Sequence, residues 1–300
     1  MNNRLNDTTL AIFGVALMAL AVLSPAGRAQ QQSAPQQGQQ QQQQQQSQQQ
    51  QPAKPGQQGQ TPPNGQAQGP AEAPKVDPEE EKAYKAFADL KPDDYDQQIQ
   101  LGEDFVKKYP DSKYNELVYS RLTNSFYSKQ QFDKMYAAAD KALALNGNDV
   151  TVLILVGWVI PHNYDPNDIE ADRRLNKAEG YEKHALEVLP TLPKPTSLTD
   201  EQFAAAKAKE ESTAHSGLGL IYFRQQKAED SLKELQQATA GDQSDTVDFF
   251  IMGIDLKSLK RFTDAADAFQ KCAQIPGAMQ DRCKQQADQA KAQAQNSSPK

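Results

Sequence analysis

The sequence predicts an all-α protein, a solenoid of about five helix–turn–helix repeats that follows a leader and a long Gln-rich segment. Two observations support this fold class. One pattern of apolar and small residues recurs at a fixed distance along the chain after residue 78, which is typical of solenoids. Residues that start or stop helices bound several of the copies. Only 37% of the 300 residues are hydrophobic, so two conventional domains, which length alone would suggest, are not expected.

Residues 1–29 are predicted to be a secretory signal peptide. Arg4 precedes an uncharged apolar run of 14 residues from Leu10 to Leu23, and a small-residue segment ending at Ala29 follows. A signal peptide has an apolar part of about 7–15 residues, whereas a membrane span needs roughly 20. We expect cleavage after Ala29 and a location in the periplasm or cell envelope, or secretion. An uncleaved N-terminal anchor, the one route to membrane contact, is the alternative.

Residues 30–78 are predicted to be a disordered Gln/Pro-rich spacer of low complexity. The segment has almost no large apolar side chains, so burial cannot offset the entropy lost on ordering. We interpret it as a flexible link between the folded part and the membrane or its neighbours. A self-associating polyGln tract, or a segment that binds peptidoglycan or a partner, is an alternative, and residues 39–46 form the longest pure Gln run.

The clearest pair of repeats lies between residues 215 and 272. Every equivalent position is displaced by 34 residues, and Gly219 and Gly253 correspond. The other equivalents are His215 and Phe249, Leu218 and Met252, Tyr222 and Leu256, Ser231 and Ala265, Leu235 and Phe269, and Ala238 and Cys272. We expect two antiparallel helices to approach most closely where the glycines meet the Ala238 and Cys272 positions.

Three earlier copies extend the repeats over residues 79–279. One covers Tyr119 to Ala142, and a weaker one precedes it. Between these and the clear pair lies a stretched copy with Gly157 in its first helix. Nine extra residues around 161–166 are expected to lengthen the turn between its two helices.

Helix signals surround the last two copies. The Pro-rich stretch 190–195 interrupts the helical pattern, and Thr199 with Gln202 forms a capping-box sequence that predicts a new helix start. Residues 280–300 are predicted to form a C-terminal capping helix and tail. A terminal repeat has no neighbour to cover its apolar face, so a polar helix is expected there.

These copies resemble the tetratricopeptide repeat (TPR), whose template has Trp, Leu-Gly and Tyr in the first helix and Ala, Phe, Ala and Pro in the second. The Trp of the template is found at none of the leading sites here. The resemblance covers about two thirds of the chain and is strongest around Gly219 and Gly253. Residues 105–114 also resemble the helix end and turn of bacterial exported or envelope members of this family. The resemblance implies a superhelix in which the first helix of each pair lines a concave groove.

The residue types argue against catalysis, cofactors and metals. His162, His184 and His215 are isolated in sequence, and two cysteines with three histidines are too few for most metal centres. The formal net charge of −7 disfavours nucleic acid as a partner. We therefore predict a protein that is not an enzyme, with no cofactor, no metal and no nucleic-acid partner.

Cys272 and Cys283 lie 11 residues apart, on either side of a helix-hairpin turn at Pro276-Gly277. In an exported protein this placement favours a structural disulfide. Two buried free thiols are the alternative. A redox or metal pair is disfavoured because the spacing is not Cys-x-x-Cys.

The resemblance also places candidate partner-binding residues on the groove. They combine large rigid aromatic side chains with polar groups, as a peptide-anchoring surface requires. The predicted lining is Asn124, Tyr127, Trp158, Ser216, Phe223, Arg224, Phe250 and Lys257, together with Leu117, Ser120 and His162. Packing of Trp158 and Phe250 against neighbouring repeats is the alternative. Ser120 stands where a carboxylate-binding lysine would be expected, which disfavours a receptor for chaperone tails.

Taken together, the sequence predicts an exported, non-enzymatic scaffold or adaptor that binds a protein or peptide of unknown identity in its groove. The alternative is a membrane-anchored structural component of the envelope that acts through polyGln self-association.

Overall fold

Residues 77–241 and 245–297 are described in a computed structural model of the chain. The predicted signal peptide (1–29) and nearly all of the predicted spacer (30–78) lie outside the described residues. Within the described ranges the chain forms eleven α-helices, one short 3-10 helix and no strand. The helices are α1 (Pro78–Ala88), α2 (Tyr95–Lys108), α3 (Asn115–Ser128), α4 (Phe132–Leu145), α5 (Val150–His162), α6 (Ala171–Val188), α7 (Asp200–Arg224), α8 (Ala228–Ala238), α9 (Thr246–Ser258), α10 (Phe262–Gln274) and α11 (Gln280–Ser297), with the 3-10 helix at Leu189–Thr191.

Consecutive helices pack in pairs, which confirms the predicted all-α fold of about five helix–turn–helix repeats. The pairs are α1 with α2, α3 with α4, α5 with α6, α7 with α8, and α9 with α10. The first helices of successive pairs also touch: α5 contacts both α3 and α7, and α7 contacts α9. The last helix, α11, packs against α10.

Short polar side chains begin many of these helices. Asp77, Asp94, Asp149 and Asp245 each accept a hydrogen bond from a backbone N–H two or three residues later, which satisfies donors that the first turn leaves free. The capping box predicted at Thr199 is present, with both of its reciprocal hydrogen bonds to Gln202. Local sequence therefore sets where these helices start.

Three of the hairpin turns have the same backbone conformation. Gln130, Gln226 and Lys260 adopt left-handed φ angles of 57°, 60° and 60° directly after α3, α7 and α9. In each turn the next residue donates its N–H to a carbonyl five residues back, over 2.8, 2.9 and 2.8 Å. This is the Schellman arrangement, which satisfies carbonyls at a helix end. The repeat in the sequence is therefore also a repeat of the turn geometry.

The two corresponding glycines have equivalent surroundings, but their partners differ from those expected. Gly219 lies against Leu235, and Gly253 lies against Phe269; a Cβ atom on either glycine would come within 2.5 Å of that side chain. We expected small residues, at the Ala238 and Cys272 positions, to face the glycines. Large side chains of the second helix instead occupy the space that a missing Cβ leaves, and this brings the paired helices together.

The insertion in the third repeat lies slightly later than expected. Pro161 belongs to the last turn of α5, which runs to His162, and the non-helical stretch is 163–170. A proline can occupy that position at the cost of one backbone hydrogen bond, because it has no N–H to donate to the carbonyl of Gly157.

The C-terminal helix covers the end of the array. Its Ala287 and Ala290 are buried in the same apolar cluster as Phe269 of α10. Cys272 of α10 and Cys283 of α11 are fully buried and joined by a disulfide. None of the helices in the described part of the chain has the length and hydropathy needed to span a bilayer.

Candidate functional site

Six side chains from the C-terminal ends of α3, α5 and α7 and from the insertion form what we call the aromatic–arginine cluster. Its members are Tyr127, Trp158, His162, Tyr164, Phe223 and Arg224, all half-buried. Tyr127 meets the Trp158 ring edge-on, with 6.5 Å between ring centroids, and the rings of Trp158 and His162 stack at 3.7 Å. The first of these contacts joins two successive repeats.

Arg224 connects α7 to the end of α5. Its Nε–H donates to the Pro161 carbonyl over 3.3 Å, and its guanidinium carbon lies 5.5 Å from the centre of the Tyr164 ring. It also lies 6.0 Å from the centre of the Phe223 ring. Within the described residues no carboxylate pairs with Arg224, and burial lowers its pKa. The guanidinium is therefore held by aromatic rings and one carbonyl, with N–H groups left to donate to a ligand.

His162 is a neutral hydrogen-bonding group in this cluster. Burial lowers the pKa of His162 to about 4, although its hydrogen bond to Trp158 and the charge of Asp245 act in the opposite direction. Nδ1 of His162 lies 2.7 Å from the Trp158 carbonyl oxygen, so Nδ1 carries the proton. Nε2 is then an acceptor, and a peptide N–H is one donor that suits it.

Other predicted groove residues take different positions. Asn124 and Leu117 are half-buried on α3. Burial raises the pKa of Asp149 at the start of α5, and the Ser120 side chain acts against this shift. Ser216 is buried and donates its hydroxyl to Asp248 of α9 over 2.7 Å. Ser216 therefore connects two neighbouring repeats.

Phe250 and Lys257 face the C-terminal helix. The guanidinium of Arg282 lies over the Phe250 ring at 4.6 Å, and Nζ of Lys257 donates to Gln286 over 2.9 Å. Both partners belong to α11. The repeat period alone could not show this contact, because α11 is not a repeat helix.

Several carboxyl groups are buried between the helices behind these surfaces. Burial raises the pKa of Asp248 to about 7, while the hydrogen bond from Ser216 lowers it in part. Burial likewise raises the pKa of Glu210 to about 7 and that of Asp255 to about 6. Glu182 is fully buried, and burial raises its pKa well above the usual value.

The three histidines stay apart and serve separate local contacts. His184 lies 2.8 Å from Asn148, and Nδ1 of His215 lies 2.7 Å from a carboxylate oxygen of Glu234. In ranges 77–241 and 245–297 no group of three or more His, Cys, Asp or Glu residues is arranged to hold a metal ion.

Tyr164 is the cluster member that sequence reasoning missed. It lies in the insertion, where the repeat period assigns no position, and its place under Arg224 depends on the path of the loop.

Comparisons with known proteins were made for the whole chain. No protein-family model matches it, and no curated protein matches it significantly. Among solved structures, the chain is similar to a thermophilic TPR protein of Thermus thermophilus, with 14% sequence identity and a TM-score of 0.44. That similarity covers 71% of this chain and 99% of the other.

The successive helix pairs, the common turn geometry and the glycine contacts define an α-helical repeat protein built of helix–turn–helix units.

Proposed function

We propose that the protein is an exported, non-enzymatic scaffold that binds a protein or peptide partner at the aromatic–arginine cluster. The observation that carries the proposal is the continuity of this cluster across three repeats. Tyr127 of α3 touches Trp158 of α5, and Arg224 of α7 binds the end of α5. An extended peptide spans several repeats more readily than a compact small molecule does.

The chemistry of the cluster supports a peptide ligand. The aromatic faces supply apolar contact at a low entropic cost, because their side chains have few rotatable bonds and are already half-buried. His162 offers an acceptor and Arg224 offers donors, so both groups of a peptide backbone find a partner.

The test is site-specific photocrosslinking with the full chain in a bacterial envelope extract. A benzoylphenylalanine at position 223 is expected to crosslink one or a few defined partners. The same probe at Ile169, which is 95% exposed outside the cluster, is expected to give no discrete product. Adding Tyr127→Ala to the position-223 probe is expected to lower the crosslinked yield at least fivefold, since it removes a neighbouring contact. Equal products from both probe positions would contradict a binding site in the cluster.

Export is supported by the apolar run of residues 10–23 and by the disulfide between Cys272 and Cys283, a bond typical of oxidising compartments. We expect mass spectrometry of the protein recovered from an envelope fraction to show a chain that begins at Gln30. A chain of the full 33.2 kDa would contradict cleavage and support an uncleaved anchor.

A further inference from the structure

Glu182 occupies a position that is apolar in the neighbouring repeats. Leu235 and Phe269 each follow their glycine, Gly219 or Gly253, by 16 residues. Glu182 follows Gly157 by 25 residues, which is the same distance once the nine-residue insertion is subtracted. The third repeat therefore has a carboxyl group where the fourth and fifth have a core hydrocarbon.

Two glycines from different helices enclose the Glu182 side chain. A Cβ on Gly157 of α5 would come within 2.7 Å of its carboxyl group, and a Cβ on Gly217 of α7 would come closer still. Neither carboxylate oxygen has a hydrogen-bond partner among the described residues. Glu182 is therefore held at the place where α6 meets both α5 and α7, with no counter-charge.

The charges facing Glu182 make its ionised form less stable. On α7, the negative charge of an ionised Glu210 raises the pKa of Glu182 further, after the larger effect of burial. Lys209 lies next to Glu210 in the sequence and acts on Glu210. His215 of α7 is paired with Glu234. On α5 the ionisable residue is His162, which lies at the end of that helix and is neutral at pH 7.

The protonated form of Glu182 is compatible with this buried position between Gly157 and Gly217. Pro161 leaves the Gly157 carbonyl without its usual helical donor. The protonated carboxyl group is a donor that lies beside this residue, whereas the ionised group only accepts. An ionised buried carboxylate without a partner is strongly unfavourable, so ionisation favours any opening that admits water.

We propose that Glu182 makes the contact of α6 with α5 and α7 a pH-sensitive joint, packed while its carboxyl group carries a proton and loosened when the group ionises. The joint lies between the helices that carry Trp158 and Arg224. Its opening would therefore alter the spacing of the aromatic–arginine cluster.

Hydrogen exchange of the full chain tests the joint, with mass spectrometry at pH 6 and pH 8 and correction for intrinsic exchange. In the wild type, peptides from α6 are expected to lose protection by up to about tenfold per pH unit, because the open state releases one proton. Peptides from α2, which packs on α1 and α3 and away from the buried carboxyl groups named above, are expected to lose clearly less. Glu182→Leu is expected to remove the difference between α6 and α2.

The matched control is Glu187→Gln, an exposed carboxyl on the same helix, which is expected to leave the response of α6 unchanged. If Glu182→Leu fails to fold, Glu182→Gln carries the test with the same expectation, since it removes the charge and keeps the shape. The proposal is overturned if α6 responds to pH equally in the wild type and in the Glu182 variant, or if α2 responds as much as α6 in the wild type.

Discussion

Replacing Phe269 by alanine is expected to lower the free energy of unfolding by about 3–5 kcal/mol, as for other large buried side chains. The Phe269 side chain is fully buried, and its ring fills the space beside Gly253. It also meets Phe250 edge-on, with 5.6 Å between ring centroids. The alanine variant therefore leaves a cavity between α9, α10 and α11 that a glycine cannot fill. Urea unfolding followed by circular dichroism at 222 nm measures the change.

Phe223→Ala is the matched control for this loss. Phe223 is half-buried in the aromatic–arginine cluster, so its removal exposes less new surface and creates no enclosed cavity. We expect it to cost less than half as much stability as Phe269→Ala. Similar losses of stability for the two variants would show that the contact between Phe269 and Gly253 contributes no more to stability than the half-buried contacts of Phe223.

Raising the pH from 5 to 8 is expected to destabilise the protein, and Asp248 to account for up to about 3 kcal/mol of the loss. The pKa of Asp248 is about 7 in the folded protein, against 3.8 for an unperturbed aspartate. Between these values the folded state holds a proton that the unfolded state releases, so unfolding becomes more favourable as the pH rises. The stabilisation is complete below pH 4 and is lost as the pH rises through 7.

Asp248→Asn is expected to flatten this dependence in urea titrations at several pH values. The asparagine oxygen can still accept the hydrogen bond from Ser216, so the variant removes the titration and keeps the contact. Asp267→Asn, on the exposed face of α10, serves as the control and is expected to leave the slope unchanged. A wild-type stability that rises between pH 5 and pH 8 would contradict the prediction.

The helix pairs could be predicted from sequence because the 34-residue displacement repeats the whole pattern of core residues. The 34-residue spacing of Gly219 and Gly253 was enough to predict that they occupy equivalent positions, and their surroundings in the structure are equivalent. The partners of those glycines were predicted wrongly. The repeat pattern shows which positions correspond, but not which side chain of the second helix reaches the first.

The buried carboxyl groups escaped prediction for a related reason. Glu182 lies among charged residues of α6, so composition suggests an exposed position. Its burial depends on Gly217 in the next repeat, and this contact forms only when α7 packs on α5 and α6. Subtracting the nine inserted residues from the distance between Gly157 and Glu182 places Glu182 at the position equivalent to Leu235. This comparison could have predicted its burial from the sequence.

The candidate site could be predicted only in part. The family resemblance implied that Tyr127, Trp158, Phe223 and Arg224 line one groove, and the structure brings them into one cluster with His162. Phe250 and Lys257 also contact α11. A helix outside the repeat follows no period, so its contacts could not be predicted from one.

The common left-handed turn after α3, α7 and α9 has a consequence for engineering the length of the protein. Gln226 and Lys260 have the same φ angle of 60° and lie one full period apart. A second copy of residues 227–260 could therefore be inserted after Lys260, with both junctions falling in a conformation that the chain already adopts. The array would gain one module while its disulfide-bonded end stayed intact.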